Sequence, residues 1–139
     1  MYKKSVTKIF NFETGHRLSD YEGKCKNIHG HSYRLEVKIK GEINNQGMII
    51  DFGTLKAIVN KIIDANFDHK IILKEDSRFN KKLKAVLSKD SMYLVNYNPT
   101  AENMVIDFYT RIGKELPKGL AIDRIRLYET ATSYADLQC

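Results

Sequence analysis

Three of the four histidines, His16, His29 and His31, fall within sixteen residues, and the last two flank a glycine in Cys25-Lys26-Asn27-Ile28-His29-Gly30-His31. Neutral imidazole is a common metal ligand. Three of them leave the fourth position of a tetrahedral metal open, the pattern of a catalytic rather than a structural zinc site. Cys25 lies four residues before His29. It is either a fourth ligand that closes the site, or a thiol beside it, where a cationic metal lowers its pKa and makes it a base. Spacing alone leaves both roles open.

Further residues suit the same chemistry. The fourth histidine stands in Asp68-His69, and an imidazole joined to a carboxylate suits a proton relay. Glu129 shares a strand parity with Ile125 and Leu127. A carboxylate on an apolar face needs a partner, and one such partner is a cationic or amidine-like ligand edge held by two hydrogen bonds. Pro99-Thr100-Ala101-Glu102-Asn103 reads fully as a helix start.

Strand periodicity supplies the positioning. Tyr33, Leu35, Val37 and Ile39 alternate with Arg34, Glu36, Lys38 and Lys40, as in a half-buried antiparallel strand. His29 and His31 continue the apolar parity at its entrance. A first strand, about Lys3 to Thr14, places Phe10, Phe12, Thr14 and His16 on one parity, interrupted by Lys8. If the two strands form a hairpin, its open end gathers all three imidazoles. Asp51 is set to cap a helix to about Asn66, with the stripe Leu55, Ile58, Val59, Ile62 and Ile63. Asn98-Pro99 starts a second helix, with Ala101, Val105, Phe108, Ile112 and Leu116. Strands are expected over Ile122 to Thr130 and Ser133 to Gln138. Glu75 to Tyr97 reads as an insertion holding a short helix (Phe79, Leu83, Val86, Leu87) and a short strand, Met92 to Val95. The order β-β-α-α-β-β predicts an α+β fold with an antiparallel sheet and two helices on one face.

A chain of 139 residues, 42% hydrophobic and 29% charged, is expected to form one globular domain spanning 1–139. Two cysteines in a chain of this size do not indicate a disulfide scaffold. Met1 to Lys8 lacks the apolar segment of a secretory signal, and no apolar run approaches the ~20 residues of a membrane helix. The expected location is cytoplasmic, with no membrane partner. The net charge of +6 comes from scattered lysines without a long basic run, which favours a phosphorylated small molecule over nucleic acid.

The residues together resemble the 6-pyruvoyl-tetrahydropterin synthase family, most closely its bacterial, carboxy-forming branch. The resemblance rests on Phe12 to Leu18, Cys25 to Tyr33, Gly47-Met48-Ile49-Ile50-Asp51-Phe52-Gly53, Phe67-Asp68-His69-Lys70, Pro99 to Asn103 and Tyr128-Glu129-Thr130. It implies Zn2+ on His16, His29 and His31, Cys25 as catalytic base, and Asp68 with His69 as relay. Glu129 would anchor the pterin's guanidine-like edge, with Thr100 and Glu102 as further substrate contacts. It also implies the tunnelling fold, assembled as a homohexamer of two stacked trimers with sites between subunits. The three-residue gap from Cys25 to His29 resembles the branch that converts 7,8-dihydroneopterin triphosphate to 6-carboxy-5,6,7,8-tetrahydropterin, acetaldehyde and triphosphate, toward queuosine. The alternatives are triphosphate elimination to the pyruvoyl product and a non-catalytic zinc- and pterin-binding module. Thr14 and Gly15 stand where the family usually has Ala or Ser, and the 75–97 insertion is longer than in compact members.

Overall fold

In the computed structural model, residues 2–75 and 78–139 are described; positions 76 and 77 of the 75–97 insertion lie outside them. The long hairpin is formed by β1 (Ser5–His16) and β2 (His29–Lys40), paired antiparallel along their whole length. β1 therefore runs two residues past its expected end and β2 starts four residues early, which draws all three clustered histidines into the sheet. β3 (Ile71–Lys74), β4 (Met92–Val95), β5 (Ala121–Thr130) and β6 (Ser133–Gln138) complete it in the order β4-β3-β1-β2-β5-β6. The four long strands are antiparallel, as expected. β3 adds to β1 in parallel and β4 to β3 in parallel, so the sheet is mixed at this end.

The alternating apolar residues turn one sheet face toward the helices α1 (Phe52–Ile62) and α3 (Ala101–Glu115). Phe10, Phe12, Tyr33, Leu35, Val37, Ile39, Ile125 and Leu127 pack there against Leu55, Val59, Met104, Val105, Phe108 and Ile112. Asp51 caps α1, accepting from the Gly53 and Thr54 amides (2.7 and 3.2 Å). The expected helix to Asn66 changes character: it widens into a π-helical turn over Ile63–Phe67. Such turns are rare, and are frequent at functional sites. This one buries Ile63 and Phe67 and delivers Asp68 and His69 beside β1.

The insertion helix α2 (Arg78–Val86) departs from its expected packing. Phe79 and Val86 of its apolar stripe are exposed, whereas the polar Asn80 is 1% exposed. No helix among the described residues is long and apolar enough to cross a membrane.

Candidate metal centre and active site

Register builds the centre. In the hairpin His16 lies directly opposite His29, and His31 opposite Thr14. All three point to the helix-facing side, at the end of the apolar rows. The ring centroids of His16 and His29, His29 and His31, and His16 and His31 lie 4.6, 4.9 and 5.2 Å apart. One ring nitrogen from each falls within 4.8 Å of the other two. Gly30 permits this approach, because a Cβ there would stand 3.2 Å from the Thr14 carbonyl oxygen.

The hydrogen bonds fix the tautomers. His16 Nδ1 faces the Pro99 carbonyl at 2.7 Å and His29 Nδ1 faces the Asn27 carbonyl at 2.8 Å. A carbonyl only accepts, so both Nδ1 atoms carry the proton and both Nε2 atoms present lone pairs. Those two Nε2 atoms stand 3.1 Å apart. Between neutral rings in these tautomers that contact cannot be a hydrogen bond, and two lone pairs at this distance repel unless a cation lies between them. Metal–nitrogen bonds of about 2.0–2.1 Å in a tetrahedron place ligand nitrogens roughly 3.3 Å apart, close to what is seen. The third imidazole agrees: His31 Nε2 is buried without a hydrogen-bond partner. Burial lowers the pKa of His16 to about 4, with the Pro99 carbonyl pulling it back and His29 and His31 pushing it further down. Burial also lowers that of His31, against the opposing charge of Glu129. Both rings are therefore held neutral near pH 7, the form that binds metal. The donor set fits a metal ion with an open position.

Tyr33 forms the floor, its hydroxyl 3.5 Å from His16 Nδ1. Burial, then the charges of Glu129 and Cys25, hold this phenol protonated. Cys25 sits half-buried in a short 3-10 turn, Lys24–Lys26, between the two strands. Among the described residues, the group of converging ligand atoms holds the three imidazoles and not the thiol.

Glu129 approaches from β5, with its Oε1 3.6 Å from His31 Nε2. Tyr128 pairs with Tyr134 and Thr130 with Ser133, so Glu129 is the extra residue of a bulge. Alternation carries Glu129 on the face of Ile125 and Leu127, toward His31, and the bulge leaves it without a partner residue on β6. A groove of about 540 Å3 beside it is lined by His31, Arg34, Tyr128, Glu129 and Thr130.

His69 lines a second groove, of about 430 Å3, with Glu13, Ser32, Ser91 and again His31 on its walls, and Asp68 is its ion-pair partner. Asp68 Oδ1 accepts from the Glu13 amide (2.9 Å) and Oδ2 lies 3.0 Å from His69 Nδ1. Burial pushes this carboxyl up, but the Glu13 amide and His69 outweigh it and the net shift is downward. His69 has a left-handed backbone (φ 59°), and its side chain is 78% exposed. Non-glycine residues held in that region cluster at active sites. Thr100 and Glu102 line neither groove. The Thr100 hydroxyl caps α3 by accepting from the Asn103 amide, and Glu102 is exposed in the first helical turn. The atom of this helix start that reaches the centre is the Pro99 carbonyl, which no side-chain pattern signals.

Residues 5–139 match the family profile for 6-pyruvoyl tetrahydropterin synthase. The chain belongs to the 6-pyruvoyl tetrahydropterin synthase family. Among relatives of this family, a 6-carboxy-5,6,7,8-tetrahydropterin synthase from Rickettsia typhi is 35% identical over 134 residues, covering 94% of this chain and 97% of that one. One of the same name from Haemophilus influenzae is 34% identical over 139 residues, covering 96% and 97%. The fold is shared with the crystal structure of an uncharacterized protein from Wolinella succinogenes (TM-score 0.83, 20% identity, 99% of both chains). It is shared also with the Caenorhabditis elegans 6-pyruvoyl tetrahydropterin synthase (TM-score 0.74, 23% identity, 100% of this chain and 97% of that one). The chain thus has the α+β tunnelling fold of the 6-pyruvoyl tetrahydropterin synthases over essentially its whole length.

Proposed function

We propose that this chain is a zinc-dependent lyase that converts 7,8-dihydroneopterin triphosphate, with water, to 6-carboxy-5,6,7,8-tetrahydropterin, acetaldehyde and triphosphate, as a cytoplasmic step toward queuosine and related 7-deazaguanines. The observation that carries this reading is the set of converging, neutral imidazole nitrogens in a chain whose relatives are named for the carboxy product. His16, His29 and His31 would hold the zinc. Bound there, zinc supplies Lewis-acid chemistry, polarising the substrate's side-chain oxygens and acidifying the adjacent C–H.

The protein's own residues do the rest. Cys25, as thiolate, takes the proton from that carbon. His69, oriented by Asp68, returns protons to the ring and the leaving fragments. Glu129 holds the guanidine-like edge of the pterin through paired hydrogen bonds, in the groove it shares with Tyr128 and Arg34. Thr100 and Glu102, at the start of α3 beside the Pro99 carbonyl that faces His16, are the further substrate contacts of this reading. The net charge of +6 favours encounter with a triphosphate.

Residues 1–139 are read as one domain that works as an assembly. β4 and β6 are the two outer strands of the sheet, and the exposed His69 is paired with Asp68. Both features suit a homohexamer of stacked trimers in which one subunit's relay serves its neighbour.

The deciding experiment incubates zinc-loaded protein with dihydroneopterin triphosphate and measures acetaldehyde and pterin products. Acetaldehyde with the carboxypterin is the expected result. A pyruvoyl product without acetaldehyde would assign the elimination reaction for which the family profile is named. No turnover with zinc bound would leave a pterin-binding module.

A further inference from the structure

We propose that the insertion helix α2 is the clamp that sets the position of Cys25, with Asn80 and Phe79 acting as positioning residues through Arg17. The proposal rests on the reading of Cys25 as the catalytic base. The thiol is carried on residues 17–28, the segment between the metal-centre residues His16 and His29. Two hydrogen bonds fold that segment back on itself around the cysteine. The Leu18 amide donates to the Cys25 carbonyl (2.9 Å), and Arg17 Nε donates to the Lys26 carbonyl (3.0 Å). The carbonyls of Cys25 itself and of the next residue are thus held by the two residues that follow His16.

Arg17 is held in turn from α2. Its Nη1 donates to Asn80 Oδ1 (3.2 Å), and its guanidinium lies 4.3 Å from the centre of the Phe79 ring. The amide of Asn80 is spent on the same task. Nδ2 donates to the Lys74 carbonyl (2.9 Å) and reaches the Ser19 hydroxyl (3.4 Å). Asn80 is the buried residue of a helix whose apolar side chains are largely exposed. An amide is costly to bury unless its donors and acceptor are satisfied, so this one marks where α2 is docked rather than how it is solubilised.

A second hold is independent of α2. The Asn98 side chain accepts from the Ser19 amide (2.9 Å) and donates to the Ser19 carbonyl (3.2 Å), imitating a strand partner. Asn98 precedes Pro99, whose carbonyl orients His16. The turn from insertion to α3 therefore fixes a metal-centre imidazole on one side and the cysteine segment on the other. An insertion that looked incidental to the chemistry thereby becomes part of the support for the thiol.

The test compares Phe79→Ala, Asn80→Ala and the conservative Phe79→Tyr as zinc-loaded enzymes. It measures kcat, KM, zinc content and the iodoacetamide alkylation rate of Cys25 against Cys139, an exposed thiol in the same chain. Phe79 is 48% exposed, so its alanine variant folds even if loss of the buried Asn80 amide does not allow it. In folded Phe79→Ala and Asn80→Ala, zinc content and KM hold, while kcat falls by about 10- to 100-fold, as for a reacting group displaced by an ångström. The Cys25-to-Cys139 alkylation ratio changes several-fold. Phe79→Tyr, which keeps the ring under Arg17, stays near wild type. An unchanged ratio, or a changed ratio with full kcat, overturns the proposal. A fully active Cys25→Ser, or an inactive wild type, refutes the parent reading instead, and the alkylation ratio still decides whether α2 holds the segment.

Discussion

Stripping the metal should make the protein acid-sensitive through His16. The ring is 1% exposed, and burial lowers its pKa from 6.5 to about 4. A histidine with a depressed folded-state pKa leaves stability intact above its unfolded value and erodes it as pH falls through the interval between the two, because the unfolded chain takes up the proton first. For a 6.5-to-4 shift, the loss between about pH 7.5 and about pH 5 is about 2 kcal/mol, and it levels off below about pH 4 at roughly 3.4 kcal/mol. His31 is shifted the same way and adds to it. The assay is urea unfolding of chelator-treated protein across that range, repeated with His16→Gln, which cannot titrate. The wild-type curve should fall by at least the stated amount and the variant's by about 2 kcal/mol less. A flat wild-type curve, or equal slopes for both proteins, would refute the argument that this imidazole is buried neutral and poised to bind metal.

Chelation should abolish lyase activity and zinc re-addition restore it, with one zinc per chain by metal analysis. Glu129→Gln keeps the shape but loses the charge; losing a hydrogen bond to a charged group is worth about 1.5–3 kcal/mol, so kcat/KM should fall roughly 10- to 150-fold with zinc content unchanged. Gly30→Ala forces a Cβ to 3.2 Å from the Thr14 carbonyl, and should weaken zinc binding, read by competition with a chromophoric chelator, and lower stability by about 1 kcal/mol. Asp68→Asn should lower kcat while leaving zinc content intact. Since the carboxyl is shifted down, its contribution to stability is present above its unfolded pKa and is lost on acidification, so the variant's acid unfolding should be shallower there.

Much of the centre was legible because strand alternation is a strong rule. Once Tyr33 to Ile39 is read as a half-buried strand, parity alone places His29 and His31 on the face of His16, and the hairpin register confirms it. β3 escaped because Ile71-Ile72-Leu73 is a short apolar run without alternation, buried on both sides. The π-helical turn escaped because Ile62 and Ile63 continue a helical stripe that the backbone then widens. α2 was read from apolar spacing, but its docking depends on Asn80, a polar residue that hydrophobic pattern cannot weigh. Beside Thr100 and Glu102, the structure also brings the Pro99 carbonyl to His16, which the sequence did not signal. Main-chain groups leave no trace in residue types.

His31 is the wall common to two grooves, one holding Glu129 and the other His69. In the proposed mechanism, recognition and proton delivery fall in neighbouring grooves that share Gly30, His31 and Ser32. On that reading, Arg34, Tyr128 and Thr130 can be exchanged to admit a different ring without touching Glu13 or His69, which line only the other groove. The same partition lets the relay be retuned without altering what is bound. On the same reading, a change in the ring that is bound needs substitutions only on the Glu129 side of the shared wall.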